Sequence, residues 1–204
     1  SSLIHVGGFQ KQLDVESEIA KLGVPVISLV GSYKVLHESG VQLYPRAETH
    51  WTADVKLVGG RELVDKLETL GLIRRECVNR EPKISMDRSF TYWGDLFFGM
   101  GWQENFKASR KFSSEVNLFK VEPPQNLNSL CVPLLLAGSS YSVSDLGGST
   151  FADAIQAHYL GKVENRAQPA KALFETLSIL QRSDFPRNAV VVWEFPFRYL
   201  KRDI

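Results

Sequence analysis

The sequence predicts an α+β fold, in which a mixed or largely antiparallel sheet carries three to four helices. Short apolar or alternating stretches, typical of strands, are interspersed with stretches whose apolar residues recur every three or four positions, as on one helix face. The two kinds do not alternate regularly, which argues against an all-parallel α/β sheet. With 204 residues, of which 44% are hydrophobic and 23% charged, the chain is predicted to form a single domain spanning 1–204.

The first half of the chain is predicted to be rich in strands. One helix is predicted between Asp14, which would cap its start, and Gly23, which would end it. A second helix is predicted between Gly60 and Gly71. Strands are predicted at residues 1–9, 24–30, 33–36, 41–44, 51–58 and 72–78. Residues 33–44 then form a hairpin, and residues 51–78 form a β-α-β unit. A winged helix, which residues 62–76 superficially resemble, would need two helices upstream, where strands are predicted instead.

The second half opens with a predicted loop at residues 79–89 and strands at residues 113–121 and 132–137. The Pro-Pro loop, residues 122–129, is either a seam between two lobes or a surface loop, because consecutive prolines favour extended backbone. Helices are predicted to begin at Thr150, with Asp153 completing its cap, and at Pro169. The apolar run 189–195 is predicted to be a central strand buried on both faces.

Composition and charge indicate a cytoplasmic protein without a membrane partner. The net charge is +1, so any surface for a polyanion must be a local patch. We find neither a bilayer-length apolar run nor a signal peptide in the sequence. The two cysteines, Cys77 and Cys131, are interpreted as reduced, buried thiols, with a disulfide or a nucleophile as the alternatives.

The aromatic stretch, residues 89–111, contains seven Phe, Tyr or Trp residues interrupted by glycines and followed by basic residues. It has three interpretations: part of the core, an interface with another protein, or a platform on which nucleic-acid bases stack. Because the glycines break both periodicities, we expect Phe90, Phe97 and Phe98 to be buried and Trp93 and Trp102 to face a partner. The predicted partner surface consists of Trp93, Trp102, Lys107, Arg110, Lys111, Arg198, Lys201 and Arg202.

A Gly/Ser-rich loop, residues 138–150, follows an apolar strand and precedes a helix. Its last four residues are a candidate anion site, because helix N-termini present free N–H groups: Gly147, Gly148, Ser149 and Thr150. A plain loop capped by Thr150 is the preferred interpretation, since no phosphate-binding sequence is present. A serine nucleophile is disfavoured, because the loop lacks the GxSxG pattern and the histidine downstream, His158, lies on an apolar helix face.

Scattered acidic and histidine residues offer two further candidates. Asp54 and Lys56 would share one face of a predicted strand, and Glu48 could join them in a metal-dependent nuclease. Glu48 also lies close to His50, so that a site could be assembled in the tertiary structure. Because no metal-ligand spacing is present, we expect no metal and no cofactor.

The sequence therefore favours a non-catalytic subunit of a larger assembly, such as a nucleoprotein or viral particle. Its partners would be other protein subunits and, through the aromatic and basic surface, single-stranded nucleic acid. The alternative is an enzyme that binds a phosphate-containing ligand at the Gly/Ser loop, or a metal-dependent nuclease.

Overall fold

The computed structural model describes residues 6–46, 48, 50–94, 96, 113–143, 149–169, 186 and 188–195. Within these ranges the helices are α1 (Val6–Lys21), α2 (Val30–Glu38), α3 (Ala53–Thr69) and α4 (Phe151–His158). The strands are β1 (Ile84–Tyr92), β2 (Ser114–Val121), β3 (Leu134–Ala137), β4 (Val163–Asn165) and β5 (Val190–Trp193). Two 3₁₀ turns, Arg75–Cys77 and Ser140–Ser142, complete the regular structure in these ranges. The predicted α+β class is confirmed.

The strands form two separate sheets. β1 and β2 pair antiparallel, from Ile84 opposite Val121 to Tyr92 opposite Ser114. In the second sheet β3 is the central strand, and it pairs in parallel with β4 on one side and β5 on the other. All four residues of β3 are buried. The carboxyl end of β3 is therefore a fixed point from which the next loop begins.

Helices α3 and α4 pack closely against each other and supply much of the core. The buried residues of the two helices include Val55, Leu63, Val64, Leu67, Ala154 and Ile155. A Cβ atom at Gly60 would lie only 2.6 Å from the carbonyl carbon of Ala154. Glycine at position 60 is thus what allows the two helix backbones to approach this closely.

A disulfide joins Cys77 to Cys131, which are 54 positions apart in the chain. It ties the 3₁₀ turn that follows α3 to the segment that precedes β3. Both cysteines are buried. The interpretation of two reduced thiols is therefore wrong, because the fold brings their Cα atoms within 5.7 Å of each other.

None of the six strands predicted up to residue 78 is a strand among the described residues, and helix α1 includes residues 6–9 of the first of them. Helix α2 replaces the hairpin, and Gly40, with φ of +88°, lies in the turn that follows this helix instead of in a hairpin turn. Helix α3 begins at Ala53, so residues 51–78 do not form a β-α-β unit, and a 3₁₀ turn replaces the strand at 72–78. Apolar residues recur in these segments in patterns that fit either a strand or a helix. Packing of the helices on the core decides between the two.

The second half is closer to the prediction. β2, β3 and α4 lie where they are expected, and Thr150 and Asp153 form the predicted reciprocal cap at the start of α4. However, β1 begins within the predicted loop, and β5 is an outer strand of its sheet. Val191 on β5 is 43% exposed, so burial of this strand on both faces is wrong.

Some sequence predictions remain untested. Residues 1–5 lie outside the described residues, and so does almost all of the helix that is predicted to begin at Pro169. The seam proposed at residues 122–129 stays a prediction. In the part of the chain that the structure describes, no helix combines the length and apolar character needed to cross a bilayer.

We expect Gly60→Ala to destabilise the fold, because the added methyl group would collide with the Ala154 backbone. The free energy of unfolding should fall by about 1–3 kcal/mol, as for other overpacked cores. Gly31→Ala is the matched control, since it also lies in a helix but has nothing within 4 Å of its Cβ position. The control should be stabilised by about 0.5–1 kcal/mol. Urea denaturation measures both, and an unchanged midpoint for Gly60→Ala would refute the close approach of α3 and α4.

We also expect reduction of Cys77–Cys131 to lower stability markedly. The closed loop of 54 residues corresponds to about 4 kcal/mol in the chain-entropy treatment of a cross-link. Urea curves with and without a thiol reductant test this. In a Cys77→Ala/Cys131→Ala variant the two curves should coincide. A wild-type protein that is insensitive to reductant would show that the disulfide does not stabilise the fold.

Candidate active site

A short turn rich in serine, here called the serine turn (residues 138–142), begins where β3 ends. Its last three residues form a 3₁₀ turn, for which the Ser139 hydroxyl accepts a hydrogen bond from the backbone N–H of Tyr141. Ser139, Ser140 and Ser142 are all buried or nearly so. In open sheets with parallel strands, ligands bind at the carboxyl ends of the strands. The serine turn thus occupies the expected position for an active site.

The three serine hydroxyls of this turn are not equivalent. Those of Ser139 and Ser142 donate to the carboxylate of Glu194, which follows β5. Among the residues that the structure describes, none forms a hydrogen bond with the Ser140 hydroxyl. Ser140 is therefore the serine of this turn whose hydroxyl is available for chemistry.

A second loop, here called the histidine loop (residues 42–52), lies between α2 and α3. The backbone N–H of Thr52 donates to the carbonyl of Leu43 at 3.0 Å, which closes the loop. The buried hydroxyl of Ser114, at the start of β2, accepts from the backbone N–H of Arg46 at 2.6 Å. These contacts fix the loop on the antiparallel sheet.

Within the histidine loop, Glu48 holds the ring of His50. One carboxylate oxygen, Oε1, lies 2.5 Å from His50 Nδ1 and 3.0 Å from the His50 backbone nitrogen. The Glu48 side chain is 2% exposed and that of His50 is 15% exposed. A carboxylate can only accept hydrogen bonds, so Nδ1 carries the proton and Nε2 of the neutral ring is the basic nitrogen.

Aromatic packing joins the two loops. The ring of Tyr141, next to Ser140 in the chain, lies 5.4 Å from the ring of His50 and 5.5 Å from that of Trp51, centroid to centroid. Trp51 also contacts Tyr33 and Phe151 edge to face, at 5.6 and 5.3 Å. Edge-to-face contacts at these separations are favourable. The packing places His50 against the turn that carries Ser140.

Tyr33 completes the aromatic group on the side of α2. Burial, followed by the charges of Tyr44, Glu194 and Glu62, raises the pKa of Tyr33 well above its usual range. Its phenol therefore stays neutral at physiological pH. Because the hydroxyl has no hydrogen-bond partner in the described structure, its role here is to pack against Trp51.

The arrangement is suited to nucleophilic catalysis by serine. Such catalysis requires a hydroxyl, a histidine that accepts its proton, and an acid that orients the histidine. Ser140, His50 and Glu48 supply these three groups from two loops. His158, the histidine considered in the sequence, is half-buried at the end of α4, where burial and the charge of Arg61 lower its pKa.

Comparison with known proteins identifies the family. Residues 9–197 match the family described as "SGNH hydrolase-like domain, acetyltransferase AlgX". The chain belongs to this family. A probable alginate O-acetylase AlgJ of Pseudomonas fluorescens is 25% identical over 97% of the chain. The chain spans only 50% of the length of that relative.

Two solved structures share the fold. The O-acetyltransferase domain of Pseudomonas putida AlgJ matches with a TM-score of 0.73 and 19% identity, covering 99% of this chain and 68% of that structure. Pseudomonas aeruginosa AlgX matches with a TM-score of 0.54 and 16% identity, covering 73% of this chain and 36% of that structure. At these identities the likeness shows the fold alone.

Family membership corrects the functional predictions from sequence. The non-catalytic assembly subunit, the viral or nucleoprotein particle and the nucleic-acid partner are wrong, because the family is one of acetyltransferases. The phosphate-binding enzyme and the nuclease are wrong for the same reason. The cytoplasmic location is also wrong, and the Cys77–Cys131 disulfide agrees with this correction, since reducing compartments keep thiols free.

The structure accounts for only part of the predicted partner surface. Trp93 is half-buried, and its expected contact with a partner stays a prediction. Phe90 is half-buried rather than buried, with Arg88 stacked over its ring. The other two rings expected to be buried, Phe97 and Phe98, lie outside the described residues. So do the remaining members of the surface, Trp102, Lys107, Arg110, Lys111, Arg198, Lys201 and Arg202.

The candidate anion loop is partly described. Gly147 and Gly148 lie outside the described residues. The Ser149 hydroxyl donates to the carbonyl of Phe119, and the backbone N–H of Thr150 donates to Asp153. These bonds engage donors that an anion would require, and they support a structural role for this end of α4.

The proposed nuclease residues do not form a site. Asp54 and Lys56 lie on helix α3, so they do not share the strand face that the sequence suggested. Glu48 is directed to His50 instead. Among the described residues, no group of three or more His, Cys, Asp or Glu side chains is arranged to hold a metal ion.

The sequence indicated the pair of Glu48 and His50, but it did not connect this pair with Ser140, because the only histidine weighed against the serine-rich loop was His158, downstream of it. The acid-x-His pair of Glu48 and His50 lies about ninety positions upstream of Ser140. Triads are recognised by geometry and not by chain order. The available signal was the combination of this pair with a serine-rich turn directly after an apolar strand.

Proposed function

We propose that this chain is a serine-dependent O-acetyltransferase, with Ser140 as nucleophile, His50 as general base and Glu48 as the acid that orients His50. One observation carries the proposal. The Glu48–His50 pair, with 2.5 Å between its carboxylate oxygen and Nδ1, is packed through Tyr141 against the turn that bears Ser140. Membership of an acetyltransferase family supports the same reaction.

The chemistry proceeds in two half-reactions. His50 Nε2 takes the proton of the Ser140 hydroxyl while Oγ attacks the carbonyl carbon of an acetyl donor. The donor's leaving group departs with that proton, and an acetyl ester remains on Ser140. His50 then takes a proton from an acceptor hydroxyl, whose oxygen attacks the ester. The acetyl group passes to the acceptor, and the proton returns to Ser140.

The acceptor that we propose is a polysaccharide hydroxyl, with alginate as the first candidate. This follows from the relatives, one of which is named as a probable alginate O-acetylase. The disulfide supports a location in an oxidising compartment such as the bacterial periplasm. Both the acceptor and the location are proposed by comparison with that relative, and the chain covers about half of the relative's length.

We expect Ser140→Ala to abolish formation of the acetyl-enzyme. The assay incubates the protein with p-nitrophenyl acetate, follows nitrophenolate release, and locates the acetyl group by mass spectrometry of peptides. Ser89→Ala is the control, because Ser89 is an exposed serine on β1 that donates to Glu115. The control should behave as wild type. Acetylation of another residue at the wild-type rate in Ser140→Ala would refute the assignment of the nucleophile.

We expect Glu48→Gln to slow acetylation of Ser140 by about 10²–10⁴-fold, because the amide no longer selects the required His50 tautomer. Glu38→Gln is a matched control, since Glu38 also neighbours a histidine, His37, but both are exposed on α2. The measurement is the acetylation rate in the burst phase, with melting temperature to check folding. Equal rates for the two variants would show that Glu48 does not orient the base.

A further inference from the structure

A carboxylate from the neighbouring strand holds the serine turn. Glu194 accepts from the backbone N–H of Ser139 at 2.9 Å and from the Ser139 hydroxyl at 3.1 and 3.2 Å. It also accepts from the Ser142 hydroxyl at 2.9 Å. One side chain thus binds the residue before Ser140 and the residue two positions after it. Hydrogen bonds to an ionised group are stronger than those between neutral groups.

The glycine that opens the turn allows the carboxylate to approach. A Cβ atom at position 138 would lie 2.6 Å from Ser142 Oγ and 2.7 Å from Glu194 Oε2. Any other residue at this position would displace one of the two groups. Each of these positions can therefore be given a role. Gly138 leaves space for the carboxylate, the hydroxyls of Ser139 and Ser142 bind it, and Ser140 lies between these two serines.

Strand pairing brings Glu194 to this position. β5 runs parallel to β3, with Trp193 opposite Ala137. The backbone N–H of Glu194 extends the pairing by donating to the carbonyl of Ala137 at 2.8 Å. Glu194 and the serine turn thus leave the same edge of the sheet side by side. The location of the carboxylate follows from the register of the strands.

We infer that Glu194 is a positioning residue, which fixes the serine turn so that the Ser140 hydroxyl faces His50. This inference rests on the proposed function. Glu194 engages the two flanking hydroxyls and leaves that of Ser140 for the reaction. Its role is distinct from that of Glu48, because Glu48 contacts the His50 ring whereas Glu194 contacts the turn. It acts through geometry and does not touch the reacting atoms.

The test compares Glu194→Ala and Glu194→Gln in the acetylation of Ser140 by p-nitrophenyl acetate. Glu194→Ala should lower the acetylation rate by about 10²-fold, the effect of a displacement of roughly 1 Å in a reacting group. Glu194→Gln should recover most of this loss, since its amide oxygen can still accept from the Ser139 N–H and the hydroxyls can reorient toward its NH₂ group. Glu164→Ala and Glu164→Gln are the controls, because Glu164 on β4 is bound to Lys162 and Arg166 instead.

The pH dependence of acetylation distinguishes a positioning role of Glu194 from a direct effect of its negative charge. If Glu194 acts by position, the pH at which acetylation is half-maximal should be the same in wild type and Glu194→Gln. A midpoint shifted in Glu194→Gln, or a rate as low as that of Glu194→Ala, would show that the negative charge acts on the reaction and would overturn the inference.

A double-mutant cycle tests whether Glu194 acts through the two flanking serines. Ser139→Ala combined with Ser142→Ala removes the hydroxyl donors and keeps the carboxylate. If the three side chains act as one unit, adding Glu194→Ala to this background should lower the rate much less than Glu194→Ala lowers it in wild type. Additive effects would overturn the inference.

The same data distinguish failure of the inference from failure of the proposed function. If wild type is not acetylated at Ser140, the proposed function fails. If wild type is acetylated at Ser140 and folded Glu194→Ala reacts at the same rate, the inference about Glu194 fails alone.

Discussion

The packing of Tyr141 against His50 and Trp51 is the contact on which the site depends. It joins a loop that precedes α3 to a turn that follows β3, two segments separated by about ninety positions in the chain. Trp51 extends the contact to Tyr33 on α2 and Phe151 at the start of α4. Large rings bury much area and prefer defined mutual angles, so one cluster both stabilises the fold and sets the orientation of the groups proposed for catalysis.

Close packing against glycine is the second constraint, and it operates both in the core and at the site. Gly60 lets α3 lie against α4, and Gly138 lets the serine turn lie against Glu194. The first contact belongs to the core, and the second belongs to the site. Because α4 also carries Phe151, a displacement of α4 from α3 would reach the aromatic cluster. Stability and site geometry are therefore coupled through the same helix.

The site holds two carboxylates, and each is compensated by hydrogen bonds. Glu48 is almost fully buried and accepts from the backbone and ring of His50. Glu194 accepts from one N–H group and two hydroxyls of the serine turn. Burying a charge without such partners would be costly. These bonds offset the cost of burying the two carboxylates. They also restrict the positions of His50 and of the serine turn, as the proposed reaction requires.

The sequence by itself determined the α+β class, the strands β2 and β3, and the cap of α4 by Thr150 and Asp153. These features depend on local patterns of apolar residues and on side chains within three positions of each other. Only the tertiary structure decided that residues 33–36 belong to a helix, that Cys77 meets Cys131, and that β5 is an outer strand. It alone brought Glu48 and His50 to the turn of Ser140. The reason is physical. These contacts join residues that are far apart in the chain, and the local patterns of a single sequence do not show which distant residues come close together in the fold.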